Sequence, residues 1–282
     1  MKIYENKNGN YNHSNYKTVN GVGTAYVDCV NGNDDNNGSL DYPYKTLDKA
    51  LQMGNNGFSI LVINIIKGGN YEITFNRLSM ADLHLVSMAT DSDVYVNTPN
   101  DFRFYSSRVN VKNEGTTKFK VQINGLFEHT MLYSHKAEFV GQTTLLSSTI
   151  YFENVTFENL RPRGCNVVLK DGTVGGILDC HCSIIRITNT LTISKIDLFG
   201  CHTVIDTTSI IQNGDTQNYV IRNYGGYLSV TCTTFDKGNS TKFIENYTST
   251  LLLPNSTLTA IKNTWGENSY AIVNNTVSNQ SF

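Results

Sequence analysis

From residue 59 onward the chain repeats one pattern: a short run in which apolar and polar residues alternate, then a turn. Segments 59–66, 71–75, 83–87, 93–96, 118–123 and 136–140 fit it. So do 149–157, 166–169, 183–187, 191–198, 203–205, 219–221 and 227–231. Most are rich in Val, Ile, Phe, Tyr or Thr and are bounded by Asn, Gly, Asp or Ser, which predicts strands. No long amphipathic helical pattern separates them, so βαβ architectures are excluded. Hairpin signals are few. Asn-Gly occurs at 124–125 and 213–214, whereas a sandwich or barrel uses more two-residue turns. Short strands joined by single-residue corners predict an all-β parallel β-helix of about ten coils, each of about 20 residues.

One pair of segments points to the same repeat. DCHCSIIRI at 179–187 and GCHTVIDTT at 200–208 align at an offset of 21, placing Cys180 on Cys201, His181 on His202 and Ile184 on Ile205. A solenoid also needs its open ends covered. The segment TLDKALQM offers a short helix over 46–53, with Thr46 as N-cap, Asp48 in the first turn and Gly54 as its stop. Leu47, Ala50 and Leu51 fall on one face of it, so the helix is expected to plug the N-terminal end. Residues 1–23 are polar and aperiodic and read as an attachment arm. An opening segment that contains the capping helix spans 24–58, and the β-helix with its terminal cap spans 59–282.

Composition narrows the classes. The net charge of −2 and a charged fraction of 16%, with Lys and Arg scattered, give no reason to expect nucleic acid as partner. The chain has 35 Asn, but 16 Tyr, 13 Phe and dense Ile/Val runs set it apart from disordered sequences. The N-terminal stretch lacks the apolar core of a secretory signal. The longest apolar run, 60–66, is too short to span a bilayer, so membrane insertion is not expected. Without a signal, the sequons at Asn154, Asn239, Asn246 and Asn255 read as by-products of Asn/Thr-rich coils. The six cysteines are expected as reduced thiols packed like small apolar residues.

Residues 24–51 resemble a known family. Tyr26-Val27-Asp28, Asn31-Gly32-Asn33-Asp34, Gly38, Pro43-Tyr44-Lys45-Thr46-Leu47 and Ala50-Leu51 are similar to the opening of pectate-lyase-like, single-stranded right-handed parallel β-helix proteins. LTAIKNTWGENS at 258–269 is similar to the A-x-x-N-x-W-G segment that often closes such helices. The superfamily includes phage tailspikes, polysaccharide lyases and hydrolases, and surface adhesins. The resemblance, together with the polar arm, implies a phage tail spike or fibre-type virion protein that binds a host cell-surface polysaccharide. A homotrimer, attached to other tail or virion proteins through its N-terminal arm, is the form it implies. A polysaccharide lyase or glycoside hydrolase on the same fold is the alternative, and a cellular or extracellular adhesin the third.

Candidate chemistry follows from residue types. Glycoside hydrolysis needs two carboxyls, one with a raised pKa, and outward acids on neighbouring coils lie about 4.8 Å apart. Asp179, Asp197 and Asp206, with Glu153 and Glu158 upstream, are the catalytic candidates. Tyr151, Tyr219, Tyr224 and Trp265, with Arg186, are the glycan-binding candidates. Asn33, Asp35 and Asn37 match the first half of a calcium loop, but Tyr44 stands where the bidentate Glu belongs. Calcium is therefore disfavoured against a structural turn, and no cofactor is expected. Cys180, His181, Cys182, Cys201 and His202 carry zinc-ligand chemistry. Strand alternation, however, sends the thiols inward and the imidazoles outward, so no metal site is expected there.

Overall fold

The computed structural model describes residues 19–56, 58–75, 77–99, 102–122, 125–212, 219–236 and 238–265. The chain is a parallel β-solenoid of about eight turns. It divides into two units, Met1–Thr143 and Thr144–Phe282. Among the described residues no helix is long and apolar enough to cross a membrane.

The first unit begins with β1 (Val19–Val27), so residues 19–23, read from sequence as arm, lie in a strand. Helix α1 (Leu47–Gln52) follows and runs into a 3-10 turn (Met53–Asn56). Then come β2 (Phe58–Ile65), β3 (Gly69–Glu72), β4 (Arg77–Ser87), β5 (Val94–Asn97), β6 (Phe102–Asn113) and β7 (Phe119–Gln122). β8 (Gly125–Glu128), β9 (Met131–His135) and β10 (Glu138–Leu146), within which the division falls, complete the series. Leu61 pairs with Leu83, Leu83 with Val109, and Val109 with Leu132, all in parallel. Coils here are 22, 26 and 23 residues long by these offsets, longer than the expected 20.

The polar tract between β1 and α1 folds as turns. Asn33 Oδ1 accepts the Asp35 N–H at 3.1 Å and Asn37 Oδ1 accepts that of Ser39 at 3.0 Å, the Asx-turn arrangement. Asp34 reaches across the loop to accept the backbone N–H groups of Lys45 and Thr46, both at 2.9 Å. Thr46 then caps α1, its Oγ1 accepting the Lys49 N–H at 3.2 Å. Leu47, Ala50 and Leu51 are buried, and α1 packs on β1, β2 and β3.

The second unit contains β11 (Thr149–Glu153), β12 (Thr156–Arg163), β13 (Asn166–His181), β14 (Ile184–Phe199) and β15 (His202–Gln212). It continues with β16 (Tyr219–Tyr224), β17 (Tyr227–Thr231), β18 (Thr234–Asp236), β19 (Lys242–Tyr247), β20 (Thr250–Leu252) and α2 (Asn255–Trp265). α2 occupies part of the expected closing segment; residues 266–269 of that segment, like residues 1–18 of the arm, lie outside the described residues. The 16-residue strands β13 and β14 are not straight. Register shifts after Lys170 and after Val174 break their pairing into three stretches, one per face of the coil. Face 1 holds 149–153, 166–170, 184–188, 202–206, 227–231 and 250–252. Face 2 holds 156–157, 173–174, 191–193, 209–211 and 234–236. Face 3 holds 160–163, 177–181, 195–199, 219–224 and 242–247.

Alternation fills the interior with matched rows. Val167, Ile185, Thr203, Leu228 and Leu251 succeed one another on face 1, and Leu178, Ile196, Ile221 and Ile244 on face 3. Every member of both rows is buried. Burying one such aliphatic side chain contributes roughly 1.5–3 kcal/mol. Where the face 3 interior turns polar, it does so over two coils: Asn223 Nδ2 donates to Asn246 Oδ1 at 2.8 Å, and Asn246 Nδ2 donates to the Ser249 carbonyl at 2.9 Å.

The turn from face 3 to face 1 is made by one left-handed residue per coil: Ser147, Gly164, Cys182, Gly200, Gly225 and Thr248, with φ between 46° and 63°. The N–H groups of the first five donate to Arg163, His181, Phe199, Tyr224 and Tyr247 carbonyls on the next coil. The spacing of this column corrects the expected 21-residue repeat. Val167 pairs with Ile185 and Ile185 with Thr203, an offset of 18. Cys180 therefore lies beside Leu198 and Ile184 beside His202. The similar letters at offset 21 are out of alignment with the hydrogen-bond register.

Gly225 has φ +63° and open space around the position of an added Cβ. Gly225→Ala is thus expected to cost only the left-handed backbone penalty, about 1–2 kcal/mol, read as a lower urea midpoint with unchanged slope. A cost near zero would show that this corner does not constrain the stack.

Candidate functional site

On face 3 the outward residues form two adjacent rows. In one, Asp179 pairs with Asp197, Asp197 with Arg222, and Arg222 with Glu245. Two residues further along each strand, Arg163 pairs with His181, His181 with Phe199, Phe199 with Tyr224, and Tyr224 with Tyr247. Parallel register thus places a charged row beside an aromatic one.

The aromatic row is a continuous stack. Ring centroids are 4.5 Å apart for His181 and Phe199, 5.1 Å for Phe199 and Tyr224, and 4.6 Å for Tyr224 and Tyr247. The last two pairs are within 8° of parallel. The coil spacing of about 4.8 Å dictates this distance. Phe199 and Tyr224 have a ring against each face, so they turn only their edges outward. What Tyr224 leaves open is its hydroxyl and ring edge, not a stacking platform.

The charged row is a network of shared partners. Asp179 receives Arg163 Nη2 at 2.8 Å, His181 Nε2 lies 3.1 Å from it, and Arg161 Nε lies 3.7 Å away. Burial pushes the Asp179 carboxyl up, but the hydrogen bond and charge of Arg163, helped by His181, outweigh it and hold the group below its ordinary value. Asp197 is held by Lys195 at 2.9 Å and by the Tyr219 hydroxyl at 3.1 Å. Arg222 stacks over the Tyr219 ring at 3.9 Å and donates to Glu245 at 3.1 Å, with Lys242 at 3.3 Å on the other carboxylate oxygen. Burial raises Glu245 too, and Lys242 and Arg222 again prevail and lower it.

The structure separates the candidates named from sequence. Of the five acids, only Asp179 and Asp197 become register partners on face 3. Glu153 and Asp206 belong to face 1, where Glu153 pairs with Lys170 at 2.6 Å and Asp206 is exposed. Glu158 is exposed on β12, next to the corner between faces 2 and 3. Tyr151 and Arg186 share one outward row of face 1, with Val168 between them. Tyr219 is buried, its ring under Arg222. Trp265 ends α2, and its side chain lies outside the described residues.

Cys180 and Cys201 are buried as expected, but Cys182 is exposed, because it occupies a left-handed corner where strand alternation breaks. His181 and His202 do point outward, onto different faces: His202 stacks on Tyr227 at 4.6 Å. Among the described residues no group of three or more His, Cys, Asp or Glu is placed to hold a metal ion.

Lys195, Phe199, Arg222, Lys242 and Glu245 were not singled out by sequence reasoning. His181, Phe199, Tyr224 and Tyr247 are successive in space but unevenly spaced in sequence, so a fixed period misses them. The available signal was the outward parity of each residue relative to its buried strand neighbours.

The lowered carboxyls set a pH dependence. The stability contributed by Asp179 and Glu245 is present above their ordinary values, about 3.9 and 4.3, and is lost as pH falls through their depressed folded values. The melting temperature is expected to fall as pH drops below about 4, and less steeply in Asp179→Asn. An identical acid limb in that variant would show that the Arg163 pair contributes nothing. Compared with protein-family models, curated proteins and solved structures, the chain finds no match.

Proposed function

We propose that the chain is a virion surface protein of the tail spike or fibre type that binds a host cell-surface polysaccharide through face 3. One observation carries this reading: a rigid sheet face presents charged groups, hydroxyls and aromatic edges in two parallel rows across four successive coils. Such a surface matches an extended, repetitive ligand, because its groups recur at the coil spacing and are fixed by backbone pairing. In this reading the N-terminal arm joins the protein to other virion or tail components, and three copies assemble in parallel.

A second reading, cleavage of the same polysaccharide, has one observation in its favour: Asp179 and Asp197 are neighbours on adjacent coils. Against it, hydrolysis requires a carboxyl with a raised pKa, and Asp179 is shifted the other way.

Purified capsule or lipopolysaccharide from candidate hosts is expected to bind the intact chain without release of reducing ends or of unsaturated uronate absorbance. Light scattering is expected to give three chains per particle. A stable monomer counts against the spike assembly. Product formation abolished by Asp179→Asn or Asp197→Asn would favour the enzyme.

A further inference from the structure

We infer that face 3 selects an acidic polysaccharide over a neutral one; this rests on the glycan-binding reading above. The ion-pair network on this face holds five cations, Arg161, Arg163, Lys195, Arg222 and Lys242, against three carboxylates, Asp179, Asp197 and Glu245. The surplus is positive on a chain whose net charge is −2. Face 1 shows no such bias: Lys170 and Arg186 balance Glu153 and Asp206 between its corners.

The surplus is also localised. Asp197 has one cationic partner, Lys195, whereas Asp179 has two arginines and Glu245 has Arg222 and Lys242. Positive charge therefore exceeds negative at two places, around Arg161 and Arg163 and around Arg222 and Lys242. Asp179 and Arg222 are two coils apart through Asp197, about 10 Å at the ~4.8 Å coil spacing.

The four side chains are 29% to 40% exposed. A ligand carboxylate or sulfate meets cations already partly stripped of water and held in place by their existing partners. Arg222 is further oriented by the Tyr219 ring beneath it. A polymer lying along the coil stack, with an anionic group every second or third coil, would engage both centres at once. A neutral polymer would leave the surplus uncompensated.

The test uses the intact chain with alginate, hyaluronan and polysialic acid, each compared with its carboxyl-reduced form, and with neutral host polysaccharides. At least one acidic polymer is expected to bind about ten-fold or more tightly than its reduced form, a difference of about 1.4 kcal/mol, and to weaken as salt is raised. Arg161→Gln and Lys242→Gln each leave the partner carboxylate another cation and are expected to weaken that binding several-fold. Lys112→Gln, on the first unit, is expected to leave it unchanged. Equal binding of acidic and reduced forms, or binding of neutral polymers alone, would overturn the charge selection and leave glycan binding standing. Tight acidic binding unaffected by Arg161→Gln and Lys242→Gln would overturn the assignment to face 3. Failure of every polysaccharide, acidic or neutral, would overturn both readings.

Discussion

Parallel hydrogen bonding between successive coils is the constraint from which the other features of each unit follow. It makes the lateral neighbour of every residue the one a coil earlier or later, at about 4.8 Å. A side chain's environment is then set by its row. Apolar rows such as Leu178, Ile196, Ile221 and Ile244 pack closely because each neighbour is of similar shape. A polar intruder is stable where its row supplies a partner, as Asn246 does for Asn223, since a buried amide without one costs about 1–3 kcal/mol. The corner residues from Ser147 to Gly225 obey the same rule, each passing an N–H to a carbonyl of the next coil.

The same constraint builds the candidate site without specialised loops. Two positions along face 3 that differ by one pleat repeat generate two outward rows, and the register extends each across several coils. Charges in such a row are forced within reach of one another, so they survive only in compensating sets. Asp179 with Arg163 and His181, and Glu245 with Arg222 and Lys242, are those sets. Compensation keeps the carboxylates ionised. That suits recognition of a ligand better than proton transfer to one.

Much of the architecture was legible in sequence, because alternation and corner residues are local signals. The strands over 59–66 and 183–187 and the Thr46-capped helix could be read directly, whereas the stretch 149–157 holds two strands parted at the left-handed Asn154. β6 was missed even though FRFYSSRVNVKN alternates, because its two arms pair with different strands, β8 and β9, and the Ser-Ser between them hides the bend. Cys182 was misplaced for a related reason: parity holds within a face and is reset at each corner. The site was legible only in fragments. Asp179 and Asp197 were picked as acids, and Arg161 and Arg163 are visible as arginines, but they lie up to 18 residues from Asp179 in sequence, and nothing local announces that they hold it.

Uneven coil length explains why the fold could be read while the rows could not. Phe199 and Tyr224 stack although 25 residues separate them, while His181 and Phe199 stack at a separation of 18. Of the seven extra residues of the longer coil, one falls between Thr207 on face 1 and Ser209 on face 2 and six between Gln212 and Ile221, from face 2 to face 3, so the paired segments on either side keep their register. Loop closure costs grow only slowly with length, and insertions at corners are therefore tolerated where insertions within a face would shift every side chain to the opposite side. The candidate face is thus specified by pairing register, and sequence spacing is free to drift around it. A search for related chains that tracks the parity of outward residues within each face would detect this site where a fixed-period search does not.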